Sequence, residues 1–191
     1  AGTQAQGLWQ ILDDDAADAK AFHAATAVRN GIAAAMMARA DIPAAEHILE
    51  GPRGMLAAWQ LSGGDPSWLH PVDGRMIHTV TVKNWPTCGQ MHSALDCADE
   101  LQGAGGYDPA QIDSIDIQVP AACGAIANMT GPKTVAAAKF STTFCVAATL
   151  AGRRPDLRGL TDSLLADQAV RALADKARLT IDPQFSARFP A

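Results

Sequence analysis

The chain has no long hydrophobic run. Its 191 residues are 48% hydrophobic, yet no stretch approaches the ~20 uncharged apolar residues that a membrane-crossing helix needs. The apolar run Gly31 to Ala38 is far too short, so a soluble protein that engages no membrane is expected. Basic clusters are missing too, and the formal net charge is -5, which argues against nucleic acid and anionic lipid as partners. A local positive field can still bind an anionic metabolite, because a site responds to the charges beside it. The four cysteines, Cys88, Cys97, Cys123 and Cys145, stand singly, with no C-x-x-C pair and no histidine at metal-ligand spacing. No glycine-rich phosphate loop follows a strand. Neither a metal nor a cofactor is therefore expected. Four thiols would permit two disulfides, but a chain of this size has core enough without staples, so reduced thiols in a cytoplasmic protein are expected. The N-terminus lacks the charged stretch and apolar core of a secretory signal. Internal repeats, low-complexity tracts and long linkers are also lacking.

What is present reads as one domain with a helical extension. Residues 1–17 read as an N-terminal loop or an appended remnant, 18–61 as a helical segment, and 62–191 as an α+β domain. From Asp18 to Arg39 the sequence is rich in alanine and nearly apolar all round, which predicts a buried, closely packed helix capped by Asp18. A second helix is predicted from Pro43 to Leu49, stopped by Gly51-Pro52, and a short third from Arg53 to Leu61. Ser62 to Gly74, with Gly63-Gly64, Pro66, Pro71 and Asp73-Gly74, reads as a loop. Ile77 to Val82 is β-branched and reads as a strand, followed by a helix from Gln90 to Leu101. Ile112 to Val119 contains the clearest alternation, with Ile115, Ile117 and Val119 on one face and Asp116 and Gln118 on the other. A loop carrying Pro120, Gly124, Gly131 and Pro132 precedes a helix over Thr142 to Leu150. Further helices are expected around Ser163 to Leu165 and Gln168 to Lys176, with a last strand over Arg178 to Ile181. This order predicts an α+β fold: a small antiparallel or mixed sheet covered by helices.

Three segments place polar groups in apolar surroundings. Lys20 and His23, three residues apart, share a helix face; the same spacing suits an exposed lysine and a satisfied histidine near a helix start. In Lys83 to His92 a strand end turns into a helix whose amide groups point back at the turn, a place that attracts carboxylates. Cys88 would lie near that positive end, which lowers a thiol's pKa, and His92 exchanges a proton near neutral pH. An ordinary strand–helix connection with a buried Cys and a surface Lys accounts equally for these residues. In Ala138 to Phe144, Ser141 or Thr142 is a natural helix cap, which explains the composition without function.

Together the segments are similar to a known family. KAFHAATAVRNGIAAAMMA resembles the K-x-x-H-x-G-x-A-A-x-x-G-x-x-A-A helix of the MmgE/PrpD enzymes, with Ala25 at the small position. KNWPTCGQMHSALD resembles their K-P-Y-x-C-C-x-x-x-H-x-A-I-D segment, and AKFSTTFCVAATLAG their A-K-F-S-x-x-Y-x-V-A-x-A-L-x-x-G segment. HILEGPRGMLAAW fits the I-L-E-G-x-x-G-F stretch between the first two. The four occur in the family's order over Asp18 to Pro190. The resemblance implies a lyase or isomerase, such as a dehydratase, decarboxylase or epimerase, that acts on a small di- or tricarboxylate by cofactor-independent proton abstraction. It gives catalytic roles to His92, Lys83 and Lys20, and substrate contacts to His23, Cys88 and Lys139. It also implies a cleft between a large helical domain and an α+β lid. Family enzymes are more than twice this length, so the chain is expected to be mainly the lid portion. Phe144 stands at the family's tyrosine position and cannot donate a hydrogen bond to a developing anion. The alternative is a non-catalytic ligand-binding or interaction module.

A lid separated from its helical domain must cover the apolar first helix, so association is expected, as a homodimer or with a helical partner subunit. Light scattering should return a dimer or larger species; a monomer at micromolar concentration refutes this.

Overall fold

The computed structural model of the protein describes residues 7–13, 16–58, 78 and 80–188. Its helices are α1 (Gln10–Asp13), α2 (Lys20–Arg39), α3 (Met55–Ala58) and α4 (His92–Ala104). Strand β1 (Ile115–Val119) is followed by α5 (Ala121–Ile126), α6 (Val135–Ala138), α7 (Thr142–Leu150), α8 (Asp162–Ala166) and α9 (Gln168–Ala174). Strand β2 (Ala177–Ile181) and α10 (Pro183–Arg188) complete the order. The described residues form two compact units, one comprising those up to Ala24 and from Lys83 onward, the other those between Ala25 and Val82.

The first unit is built around α7. Ser141 caps it, its hydroxyl accepting from the Phe144 amide. At the other end Gly152 takes φ 70°. There the Gly152 amide donates to Thr149 and the Arg153 amide to Ala148, which satisfies carbonyls that the helix end leaves free. No residue between is a breaker, and the segment is apolar all round, the pattern of a fully buried helix. All of α7 but Thr143 is buried. It packs against α4, α9 and β2, with Phe144, Cys145, Leu95, Met91, Val170 and Leu173 in the core.

The α+β class is as expected, but the strand pairing is not. β1 and β2 run parallel, with Ile115 opposite Ala177 and Val119 opposite Ile181. Between them the chain passes through five helices, and so long a crossover returns a strand in the same direction, whereas an antiparallel pair needs only a hairpin. Ile117 and Val119 are buried while Asp116 and Gln118 face out, as the alternation required. Gly124 lets α5 approach β2: a Cβ there would come 3.1 Å from the Ile181 side chain. Gly124 is thus a packing residue within a helix and not a breaker.

Other expectations are corrected. In the anticipated strand at 77–82, residues 77 and 79 lie outside the described set, and Val80 to Val82 join no ladder; Val82 is 90% exposed. β-branched residues fit a pleated surface but do not supply a neighbour for it. Pro43 to Leu49 forms irregular chain and turns, since two turns closed by Gly51-Pro52 are too short to offset helix nucleation. Of the third helix only Met55–Ala58 is described as helical; Trp59 to Leu61, like the loop from Ser62 to Gly74, lie outside the described residues. Asp18 sits within a 3-10 turn, Ala17–Ala19, and does not cap α2. Nor is α2 buried, for only its Thr26 is; Val28, Ile32 and Met36, one turn apart, are all about 60% exposed or more.

The cysteines are free thiols. Burial raises the Cys123 thiol's pKa and pushes that of Cys145 up to about 12. Because the thiolate is the reactive form, a disulfide reagent at pH 8 should label exposed Cys97 first and half-buried Cys88 more slowly. Cys123 and Cys145 should react only after denaturation; four equal rates would contradict the packing. Removing the buried cap by Ser141→Ala should cost about 1–2 kcal/mol, read as a lower midpoint in urea unfolding at unchanged m-value.

Candidate functional site

A cleft of about 470 Å³ opens in the first unit where three segments meet. The first turn of α2 brings Lys20 and Ala21, and the preceding 3-10 turn brings Asp18. The stretch before α4 brings Lys83, Pro86, Thr87 and Cys88. The end of α6 and the residues after it bring Ala136, Lys139 and Phe140.

Each segment is held by an identifiable force. Trp85 is buried in the core, and its indole N–H donates to Asp96 on α4 at 2.7 Å. The Arg154 guanidinium lies over its ring, 4.0 Å from the centroid, and pairs with Asp99. That anchor fixes the chain between Lys83 and Thr87, and Lys83 folds back so that Nζ donates to the Thr87 carbonyl at 2.9 Å. The Cys88 amide then donates to the Lys139 carbonyl at 2.8 Å, which joins two segments distant in sequence. Thr134 caps α6 through the Ala137 amide. Beyond it, Thr142 Oγ1 donates to Ala127 at 2.7 Å, so Lys139 and Phe140 are gripped from both sides. Phe140 is buried, and the Lys20 ammonium lies 4.8 Å from its ring centroid.

Of the residues singled out in the sequence, Lys20, Lys83, Cys88 and Lys139 line this one cleft. His23 and His92 are not among its lining residues. Both are half-buried, and the Nε2 of each is buried with no hydrogen-bond partner among the described residues; the same holds for Thr87 Oγ1 and Gln90 Oε1. Phe144 is in the core and away from the cleft. The sequence reading missed Asp18, Thr87 and Phe140. Asp18 reads as a helix cap, Thr87 stands beside Cys88 in a motif already noted, and a phenylalanine carries no polar signal.

The lining holds three ammonium groups against one carboxylate, and none of the three lysines forms an ion pair among the described residues. An uncompensated cationic cleft of this size suits a small polyanion. Among the described residues no helix is long and apolar enough to cross a membrane.

The family model of the MmgE/PrpD N-terminal domain matches residues 1–68, and that of the MmgE/PrpD C-terminal domain matches residues 85–191. No curated protein matches the chain. The C-terminal match contains Cys88, His92 and Lys139, and the N-terminal match contains Lys20 and His23. With more than half of its length in one of these matches, the chain belongs to the MmgE/PrpD family, whose type is that of a lyase or dehydratase.

Proposed function

We propose that the protein is an enzyme, or an enzyme subunit, that binds a small di- or tricarboxylate in the lysine-lined cleft. There it moves a proton next to a carboxylate without a cofactor, as a lyase or an isomerase. The observation that carries this reading is the convergence of Lys20, Lys83 and Lys139, unpaired, on one cleft in a chain of this family.

The chemistry follows from charge. Proton abstraction beside a carboxylate builds further negative charge on a group already anionic, so the barrier falls when fixed cations are aimed at it. Lys83 is already held by the Thr87 carbonyl and loses little freedom on binding. Lys139 is held through its own backbone by Cys88. A base must take the proton, and His92 is the candidate, with Lys20 and Lys83 stabilising the charge that forms. His23 and Cys88 are assigned to substrate contacts. The buried, unpartnered Nε2 atoms of His23 and His92 support a role for both, since such atoms are costly unless something is bound.

The exposed apolar face of α2 favours association, with a second copy or a helical partner subunit covering it and completing the site. One observation favours the alternative of a ligand-binding module: neither histidine lines the cleft, so a cationic site would remain without a base beside it.

Calorimetry with citrate, cis-aconitate and itaconate separates these readings. Charge-assisted contacts are each worth ~1.5–3 kcal/mol, so Lys83→Ala and Lys139→Ala should each weaken binding by roughly tenfold to a hundredfold. Deuterium exchange at the ligand's α-carbon should occur with the parent and be lost in His92→Ala. Binding without exchange would leave the module reading, and neither binding nor exchange would refute both uses of the cleft.

A further inference from the structure

Lys20 differs from the other well-placed cations of the protein in what holds it. Arg153, Arg154 and Arg178 each face a carboxylate, that of Asp167, Asp99 and Asp116 respectively. The Lys20 ammonium instead lies over two aromatic rings, 4.8 Å from the centroid of Phe140 and 5.6 Å from that of Trp9. We propose that Trp9 and Phe140 are positioning residues, a neutral aromatic platform that holds the Lys20 ammonium at the cleft with its charge uncompensated for a polyanionic ligand. This rests on the polycarboxylate reading of the cleft and adds to it two residues that touch no reacting atom.

A ring face attracts a cation through its quadrupole while carrying no net charge. A carboxylate in the same place would hold the lysine equally well but cancel the field that the ligand must feel. The only carboxylate in the lining, Asp18, forms no ion pair with Lys20 among the described residues. Lysine's four-carbon stem also loses considerable rotamer freedom when it is fixed. A platform that fixes it before the ligand arrives removes that cost from binding. Phe140 suits the task because it is only 5% exposed and is tied by backbone bonds to Ala137 and Met129. Trp9, 56% exposed, supplies the second ring.

The test is a double-mutant cycle on the full chain, with citrate as the probe. Trp9→Leu removes the exposed ring at little risk to folding, and Phe140→Leu removes the buried one. Each should weaken citrate binding about threefold to tenfold, and Phe140→Tyr should keep parental affinity. In a Lys20→Met background the same ring substitutions should have no further effect. Independently of citrate, the Lys20 εCH2 resonance of the free protein, assigned by its loss in Lys20→Met, should be shifted upfield by the rings and move back in either leucine variant. Additive effects in the cycle, or a resonance unmoved by both ring substitutions, overturn the platform. If citrate affinity instead ignores Lys83→Ala and Lys139→Ala, the polycarboxylate reading fails, and the resonance still decides whether the rings hold Lys20.

Discussion

Because α7 is buried at every residue but Thr143, its ends must be satisfied inside the protein, and those two requirements organise the larger unit. At the N-terminal end, Ser141 closes the first turn, and Thr142 spends both its amide and its hydroxyl on the Ala127 carbonyl. Those bonds hold the chain just after Phe140, and just before it the Lys139 carbonyl receives the Cys88 amide. At the other end, Gly152 turns the chain and the Tyr107 hydroxyl donates to the Leu150 carbonyl, tying in the segment that leads to β1. One wall of the cleft is thus a by-product of closing a buried helix: Lys139 and Phe140 sit on the turn that does the closing.

The same logic explains what the sequence disclosed. α7 is legible to the residue because its cap, its apolar run and its terminal glycine all lie within twelve positions and agree. β1 is legible because one buried face imposes strict alternation, and β2 was found within one residue. α10 was missed although it carried a clear local sign: Asp182 precedes Pro183 and accepts from the Gln184 and Phe185 amides, the pairing of cap and first-turn proline that starts helices. α5 was hidden for the opposite reason. Its glycine reads as a breaker, and only the contact with Ile181 on β2, far along the chain, shows that it is a packing residue. Parallel pairing was likewise not local information, since nothing in either strand states the direction of its neighbour.

For the site, residue type and motif spacing located three of the segments that meet, but not what holds them. Lys20, Lys83, Cys88 and Lys139 stood out as polar groups in apolar stretches, and they share a cleft. The Lys139 carbonyl to Cys88 amide bond, the Thr87 carbonyl under Lys83 and the rings around Lys20 are invisible in sequence. Two are backbone contacts, and the third involves Trp9, in a stretch that reads as an N-terminal loop, and Phe140, which carries no polar signal. Conversely, spacing placed Lys20 and His23 on one helix face, yet only the lysine lines the cleft. A shared face fixes direction within about one turn and not which neighbouring segment covers it.

The distribution of unsatisfied groups ties these threads together. Buried polar atoms without partners each cost on the order of 1–3 kcal/mol, so a stable fold does not scatter them. Those identified among the described residues are on His23, Thr87, Gln90 and His92, that is, within the two segments flanking the cleft on the α2 and α4 sides. Elsewhere the unit is careful: Thr142, Thr149 and Ser141 are all buried, and all have partners. Of the four residues with open atoms, only Thr87 lines the cleft, so the polar deficit lies in the segments that carry Lys20 and Lys83 and largely behind the cleft wall. Thr87 precedes the 3-10 turn Gly89–Met91, Gln90 lies within it and His92 opens α4, the helix that carries Asp96, the acceptor for Trp85.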